Sequence, residues 1–125
     1  MANLANYHGV ILTEISRNML LNYFGVPKGW THYGHHMTIC YGKPLPPSLE
    51  GDFGRLVRLE VTHVGQNDLV KAVRVKGYHS DNKVPHVTLS VNKEKGGKPV
   101  MSNDIENWEP LTGLMNPFII EGIVG

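Results

Sequence analysis

Two short segments of the sequence carry the same pattern of side chains that could do chemistry. Residues 36–40 (HMTIC) and residues 86–90 (HVTLS) each run histidine, apolar, threonine, apolar, then a small polar or thiol residue. Alternate side chains of a β-strand lie on the same face, so each segment can present a functional face and an apolar face. The functional face is predicted to hold His36, Thr38 and Cys40 in the first strand and His86, Thr88 and Ser90 in the second, with Met37, Ile39 and Tyr41 facing the other way.

If these strands are neighbours in a sheet, two imidazoles and two hydroxyls converge on one volume. One histidine can deprotonate an attacking water while the other protonates the departing oxygen, which is what hydrolysis of a phosphodiester without a metal requires. The hydroxyls of Thr38 and Thr88 can donate hydrogen bonds to phosphate oxygens, where charge builds up in the transition state. We therefore predict that His36, Thr38, His86 and Thr88 surround one phosphate. The pattern leaves open which histidine is the base.

The bulk properties of the chain narrow the classes of protein to consider. A length of 125 residues with 41% hydrophobic composition predicts one domain spanning residues 1–125. Lys and Arg number 12 against 11 Asp and Glu, so no basic stripe argues for gripping long nucleic acid. The single Cys40 excludes an internal disulfide and a multi-cysteine zinc site. No secretion signal and no apolar run of roughly 18 to 20 residues is present, so we expect a cytoplasmic monomer without membrane contact.

The pattern of apolar residues predicts an α+β fold with a largely antiparallel sheet. Strands without a regular strand–helix alternation favour this class over a parallel α/β fold. The stretch between the last two predicted strands is polar and predicts at most a short helix. The predicted elements are a strand at 7–13, a helix at 16–24 capped by Ser16 with Met19, Leu20, Tyr23 and Phe24 as its apolar stripe, a strand at 35–41, a hairpin of strands 56–64 and 69–75, and strands at 86–91 and 117–124.

Five further residues are candidates for contacting a substrate. Trp30 and Tyr33 precede the first motif and could stack on a base, as aromatic side chains do in sites for single-stranded nucleic acid. Lys43 follows the first motif and could attract a phosphate. Ser102 and Asn103 could reach the substrate, although capping of a helical turn is the interpretation that their chemistry favours.

The cluster of histidines around the first motif also raises the question of a metal site. His32, His35 and His36 lie close together in sequence, but strand alternation predicts that His35 points away from His36, and no carboxylate sits at a companion spacing. We therefore predict no metal and no cofactor. Cys40 is predicted to pack below the site rather than to act as a nucleophile, since a lone buried cysteine behaves as a small hydrophobe.

The pair of motifs resembles that of the two-histidine (2H) phosphoesterase superfamily. The likeness lies in residues 36–39 (HMTI) and 86–89 (HVTL), and it extends over residues 9–12 (GVIL), Ser16-Arg17, residues 98–100 (KPV) and Ser102-Asn103. Within the superfamily the chain is most similar to the cyclic phosphodiesterase domain of fungal and plant tRNA ligases. The resemblance implies a single bilobal α+β domain, in which largely antiparallel sheets line a central groove and one or two helices pack outside.

The same resemblance implies a function. It suggests a metal-independent phosphodiesterase that hydrolyses a nucleoside 2′,3′-cyclic phosphate, on an RNA end or in a small nucleotide, to a 2′-phosphate. Both histidines and both threonines of the motifs would lie at the site. Two alternatives stay open: a phosphodiesterase that cleaves a signalling nucleotide, such as a 2′,5′-oligoadenylate or a cyclic oligonucleotide, as an immune-evasion factor, and a non-catalytic module that binds an RNA end or a nucleotide.

Overall fold

The computed structural model describes residues 7–125, and within this range β-strands predominate. The α-helix α1 spans Glu14–Phe24, and 3₁₀ helices cover Pro47–Asp52, Lys93–Lys95 and Pro99–Asp104. The strands are β1 (Tyr7–Leu12), β2 (Thr31–His32), β3 (His36–Tyr41), β4 (Leu56–Gln66), β5 (Val70–Lys76), β6 (His86–Val91), β7 (Trp108–Pro110) and β8 (Phe118–Val124).

All strand pairings in the described residues are antiparallel, and six of the strands close on themselves. The order β6-β3-β1-β8-β4-β5 returns to its start because β5 also pairs with β6. The short strands β2 and β7 attach to β6 and β4. The fold is therefore α+β with largely antiparallel strands, as the sequence predicts. The interior is filled by fully buried apolar side chains, among them Val10, Leu20, Met37, Leu59, Val87 and Ile120.

The longer strands agree with the sequence prediction, and the short ones were not foreseen. The strand at 86–91 has the predicted bounds, and the predicted hairpin is the β4–β5 pair. Its Val- and Leu-rich strands suit the half-buried surface of a sheet. Strands β2 and β7 have two and three residues, which is too short to show a period of two. Within the described residues, no helix is long and apolar enough to cross a membrane.

The helix begins earlier than predicted, because Thr13 rather than Ser16 is its N-cap. Thr13 has an extended backbone, and its hydroxyl accepts a hydrogen bond from the Ser16 N–H at 3.2 Å. The Ser16 hydroxyl is buried and instead accepts from the Glu121 N–H at 2.8 Å. The prediction that Ser16 caps the helix was therefore wrong. Ser16 joins the helix to β8.

The predicted apolar stripe of α1 was only partly right. Leu20 is fully buried and Phe24 packs against the core, but Met19 and Tyr23 are 42% and 58% exposed. The buried side of the helix therefore runs through Ser16 and Leu20, so a polar residue occupies a position that a search for apolar periodicity passes over.

Strand β3 contains a β-bulge directly after the threonine of the first motif. Thr38 lies opposite Gly9, and Cys40 lies opposite His8, so Ile39 is an extra residue in β3. A bulge of this kind sets two residues of one strand against one of its partner and interrupts the alternation of side chains.

Strand β6 is bulged at the same place in the second motif. Thr88 lies opposite Ala72 of β5, and Ser90 lies opposite Lys71, so Leu89 is the extra residue. The repeat in the sequence is thus matched by a repeated irregularity in the backbone.

Because of the two bulges, residues that follow Thr38 and Thr88 do not lie on the faces of the sheet predicted for them. Cys40 and Ser90 were predicted on the functional face, yet both are fully buried, and Cys40 belongs to the core cluster. Tyr41 was predicted to face the core, yet it is 72% exposed. Cys40 donates weak hydrogen bonds from Sγ to the carbonyls of Lys43 and Pro44, which agrees with its predicted packing role.

Two buried serines should respond differently to replacement by alanine. Ser16→Ala leaves the Glu121 N–H without its acceptor, so we expect the free energy of unfolding to fall by about 1 to 3 kcal/mol. The Ser90 hydroxyl has no hydrogen-bond partner among residues 7–125, so Ser90→Ala should leave that free energy unchanged or raise it. Urea denaturation of the two variants measures both effects. A large loss of stability in Ser90→Ala would contradict the conclusion that the Ser90 hydroxyl makes no hydrogen bond within residues 7–125.

Candidate active site

Strands β3 and β6, which carry the two motifs, are antiparallel neighbours. Met37 pairs with Val87, and both side chains are fully buried. Because the strands run in opposite directions, His36 and Thr88 flank this pair on one side and Thr38 and His86 flank it on the other. The four polar side chains alternate with the buried ones and so lie on the opposite face of the sheet.

All four motif residues line one cavity of about 640 Å³. That volume lies within the range of about 300 to 1,000 Å³ that holds small-molecule ligands. One end of the cavity, beyond His36 and Thr88, is lined by Tyr33, His35, Pro99, Val100 and Asn103. The other end, beyond Thr38, is lined by Tyr41 and Asn82, and Tyr7 completes the wall.

His86 is held in a defined orientation by the backbone. Its Nδ1 lies 2.8 Å from the carbonyl oxygen of Val84. A carbonyl only accepts, so Nδ1 carries the hydrogen and Nε2 is left with a lone pair in the neutral ring. Burial lowers the pKa of His86 below 6.5, and the Val84 hydrogen bond partly opposes that shift. His86 is therefore a neutral, oriented proton acceptor at neutral pH.

His36 sits in a more apolar setting. Its ring stacks on Tyr7 with the centroids 4.3 Å apart and the planes 21° from parallel. Its Nδ1 is buried without a hydrogen-bond partner among residues 7–125. Burial lowers the pKa of His36 to about 4, with smaller contributions from the neighbouring charges of His35 and His86. The two motif imidazoles thus lie within electrostatic reach across the cavity that both line.

The hydroxyls of the two motif threonines differ in their hydrogen bonds. Thr88 Oγ1 lies 2.7 Å from the Ser102 hydroxyl and 3.3 Å from the Pro99 carbonyl oxygen. Because that carbonyl accepts only, a bond to it requires that Thr88 donates there and that Ser102 donates to Thr88. Thr38 Oγ1 makes no hydrogen bond within residues 7–125, so its hydrogen is available to a ligand.

The loop at residues 79–82 donates hydrogen bonds to backbone carbonyls of the first motif. The Ser80 hydroxyl donates to the Thr38 carbonyl at 2.7 Å, and the Asp81 N–H donates to the Ile39 carbonyl at 2.8 Å. The Asn82 N–H in turn donates to the Ser80 hydroxyl at 3.2 Å. These contacts place the side chain of Asn82 at the cavity wall.

The structure brings two of the five predicted substrate-contacting residues to the cavity. Tyr33 and Asn103 line it. Trp30 is half-buried outside the lining, and Lys43 forms an exposed salt bridge with Asp81 at 2.9 Å. Ser102 is buried behind Thr88. It is also not an N-cap, because Lys98 holds that position in its 3₁₀ helix.

Six of the lining residues were not foreseen as site residues: Tyr7, His35, Tyr41, Asn82, Pro99 and Val100. The prediction that His35 points away from His36 was wrong, since both line the cavity. The Gly34 N–H bonds to the Thr88 carbonyl while Met37 pairs with Val87. Between these two contacts the segment that leads into β3 has two more residues than β6. His35 is one of them and lies in this widened segment, directly before β3 begins.

The described residues contain no group of three or more His, Cys, Asp or Glu side chains arranged to hold a metal ion. The three histidines at the cavity therefore have no carboxylate or thiol beside them to complete a coordination sphere there. What they can offer a ligand is proton transfer and hydrogen bonding.

A second cavity of about 520 Å³ lies elsewhere on the molecule and lacks free catalytic groups. It is lined by Arg55, Arg58 and Tyr78 among others. Arg58 is paired with Glu121 at 3.1 Å, and Arg55 with Asp52 at 3.2 Å. Its charged side chains are therefore already neutralised, and the histidine cavity is the better candidate for chemistry.

Comparison of the chain with models of known protein families and with curated protein sequences finds no match. What the site can do therefore follows from its geometry and its chemistry.

The lowered pKa of His36 predicts a loss of stability in acid. The unfolded chain protonates His36 near pH 6.5, whereas the folded protein does so only near pH 4. The stability gained by keeping this ring neutral is thus complete above pH 6.5 and is lost as the pH falls through 4. After allowance for partial solvent exposure, the loss is about 2 kcal/mol.

The variant His36→Asn cannot take up this proton, so its free energy of unfolding should fall by less than that of the wild type between pH 7 and pH 4. Urea denaturation at several pH values measures the difference, in which the shared titration of the carboxylates cancels. Parallel curves for the two proteins would contradict the buried, neutral state of His36.

Proposed function

We propose that the protein is a metal-independent phosphodiesterase that hydrolyses a nucleoside 2′,3′-cyclic phosphate, on an RNA end or in a small nucleotide. The observation that carries the proposal is the pairing of Met37 with Val87. It sets two imidazoles and two hydroxyls around one cavity, which is the set of groups that the reaction needs. The resemblance of the motifs to those of 2H phosphoesterases supports the same reaction.

In the proposed reaction, one neutral histidine accepts a proton from a water molecule while the oxygen of that water attacks phosphorus. The bond from phosphorus to the 3′ oxygen breaks, and the other histidine, protonated beforehand, gives its proton to that oxygen. The product is a 2′-phosphate. Val84 fixes the hydrogen of His86 on Nδ1, so Nε2 is the atom of His86 that exchanges a proton with the substrate.

Binding of the substrate would favour the protonated histidine that the reaction needs as its general acid. Both imidazoles have lowered pKa values in the free protein. A phosphate anion bound between them favours the charged form of a nearby imidazole and raises its pKa. The free hydroxyl of Thr38 would donate to a non-bridging oxygen, where negative charge grows in the transition state. Thr88 would do the same only after turning its hydrogen from the Pro99 carbonyl to the phosphate.

We also propose the finer architecture that the resemblance implies, a bilobal domain whose sheets line a central groove. Its support is the position of the cavity over the junction of β3 and β6, the two motif strands. The helix α1 packs against β8 and takes no part in the cavity wall.

Removal of either motif histidine should abolish most of the activity. We expect His36→Ala and His86→Ala to lower kcat on a nucleoside 2′,3′-cyclic phosphate by about 10²- to 10⁴-fold, since each removes one proton-transfer group. Thr38→Val should lower kcat by about 100-fold through loss of a hydrogen-bond donor. Chromatographic assay of the 2′-phosphate product measures these effects.

The matched control is His63→Ala, which removes a histidine that does not line the cavity and should keep wild-type turnover. Activity should persist in EDTA. The same assay over 2′,5′-oligoadenylates and cyclic oligonucleotides tests the signalling-nucleotide alternative. Full activity of both motif variants would overturn the proposed mechanism, whereas a wild-type protein that binds these substrates and turns over none of them would favour the binding module.

The pH dependence should be displaced towards acid. Catalysis needs one imidazole neutral and the other protonated, and both have a pKa below 6.5 in the free protein. A bell-shaped profile of kcat/KM with its maximum below pH 6.5 is therefore expected. The profile of kcat should lie at higher pH, because the bound phosphate stabilises the imidazolium. Initial rates across pH 4 to about 9 distinguish this from a maximum at alkaline pH, which would contradict acid–base catalysis by these two residues.

A further inference from the structure

The two ends of the cavity differ in charge. At the Tyr33 end, the Lys93 ammonium lies 5.5 Å from the centroid of the Tyr33 ring, and Arg17 Nε donates to the Tyr33 carbonyl at 2.8 Å. Neither cation forms a salt bridge with another residue of the range 7–125. At the Tyr41 end, the nearby Lys43 is neutralised by Asp81 at 2.9 Å. Both cations contact Tyr33 from outside the cavity lining, so positive charge that no salt bridge within residues 7–125 neutralises flanks this end of the cavity.

The cationic end lies beside the motif threonine of β6. The Gly34 N–H donates to the Thr88 carbonyl at 2.8 Å, and the Tyr33 N–H donates to the Leu89 carbonyl at 2.7 Å. Successive residues of a strand are about 3.3 Å apart, so Tyr33 and His35 lie within a few ångströms of Thr88 along the cavity. A group held there would belong to the nucleoside that carries the reacting phosphate or to its immediate neighbour.

His35 is influenced by the same positive charge. Burial lowers the pKa of His35, and the Arg17 guanidinium lowers it further. Arg17, which is fixed to the Tyr33 carbonyl, thus lies within electrostatic reach of His35. An anion at this place would meet the His35 imidazole in the cavity, and the Lys93 ammonium and the Arg17 guanidinium, which lie outside the cavity lining, would attract it over a longer distance.

The opposite end suits an uncharged, flat group. Tyr41 is 72% exposed and presents an aromatic ring of the kind on which nucleobases stack. Asn82 offers both a hydrogen-bond donor and an acceptor, which match the edges of a base. Tyr7 completes the wall between them and His36.

We propose that the substrate carries a second phosphate, on the 5′ side of the nucleoside that bears the cyclic phosphate, and that Lys93, His35 and Tyr33 hold it while the base lies against Tyr41 and Asn82. This inference rests on the proposed function and adds the direction in which the substrate lies. The second phosphate can be a terminal 5′-phosphate or the internal phosphodiester of an RNA end. Both place an anion at the same position.

The test compares three substrates: adenosine 2′,3′-cyclic phosphate, its 5′-phosphorylated form, and the dinucleotide ApA ending in the same cyclic phosphate. We expect kcat/KM to be at least about tenfold higher for the two that carry a 5′ phosphate, and this advantage should shrink as salt screens the charges. Equal values for all three substrates would overturn the inference. An advantage confined to the dinucleotide would assign the gain to its second nucleoside and would also overturn it.

The decisive variant is Lys93→Ala, matched by Lys95→Ala, which removes the same charge from the same 3₁₀ helix. Lys93→Ala should lower the advantage of the phosphorylated substrates towards unity, whereas Lys95→Ala should keep it. An advantage that survives in Lys93→Ala would contradict the assignment.

Affinity provides a readout that does not depend on turnover. Calorimetry of the three ligands with His86→Ala should show tighter binding of the two that carry a 5′ phosphate, and a second change of Lys93→Ala should remove that preference. A wild-type protein that binds with this preference but turns over none of the three would contradict the proposed function alone. Turnover without the preference would contradict only the second phosphate.

Discussion

The backbone pairing of Met37 with Val87 is the interaction on which the site depends. Both side chains are fully buried in the interior of the closed sheet, so the register of β3 against β6 is fixed by apolar packing. A slip of one residue would turn every side chain of a strand to the other face. It would therefore bury the histidines and expose the core. The chemistry on one face is held in place by the hydrophobic effect on the other.

The electrostatics of the site follow from the same arrangement. Burial is the largest cause of the lowered pKa of both His36 and His86. Two charged imidazoles in one partly buried cavity would repel each other, so the free protein keeps both neutral at neutral pH. An anionic ligand reverses this balance, because its charge compensates an imidazolium. Protonation of the site and binding of a phosphate are thus coupled.

Much of the fold could be predicted from local pattern, because strands with one wet face repeat every two residues. The first half of β4 follows this rule, because its alternate residues Val57, Leu59 and Val61 are buried. The bulges do not, since an extra residue in a strand is defined by its register against a partner strand elsewhere in the chain. For that reason Tyr41 was assigned to the wrong face, and the two extra residues before Met37 likewise brought His35 into a site from which it had been left out. Ser102 shows the same limit, because its contact with Thr88 joins elements that are separate in the chain.

The closure of the sheet also determines when the fold can form. Strand β1 pairs with β8, and Gly9 and Gly125 exchange two backbone hydrogen bonds of 3.0 and 2.9 Å. During synthesis β1 leaves the ribosome long before β8 exists, so the ring stays open until β8 is made. A chain truncated before β8 would leave β1 and β4 as unpaired edges, which are templates for aggregation. Loss of β8 would thus lower solubility by exposing two strand edges, even though the motif strands β3 and β6 themselves are kept.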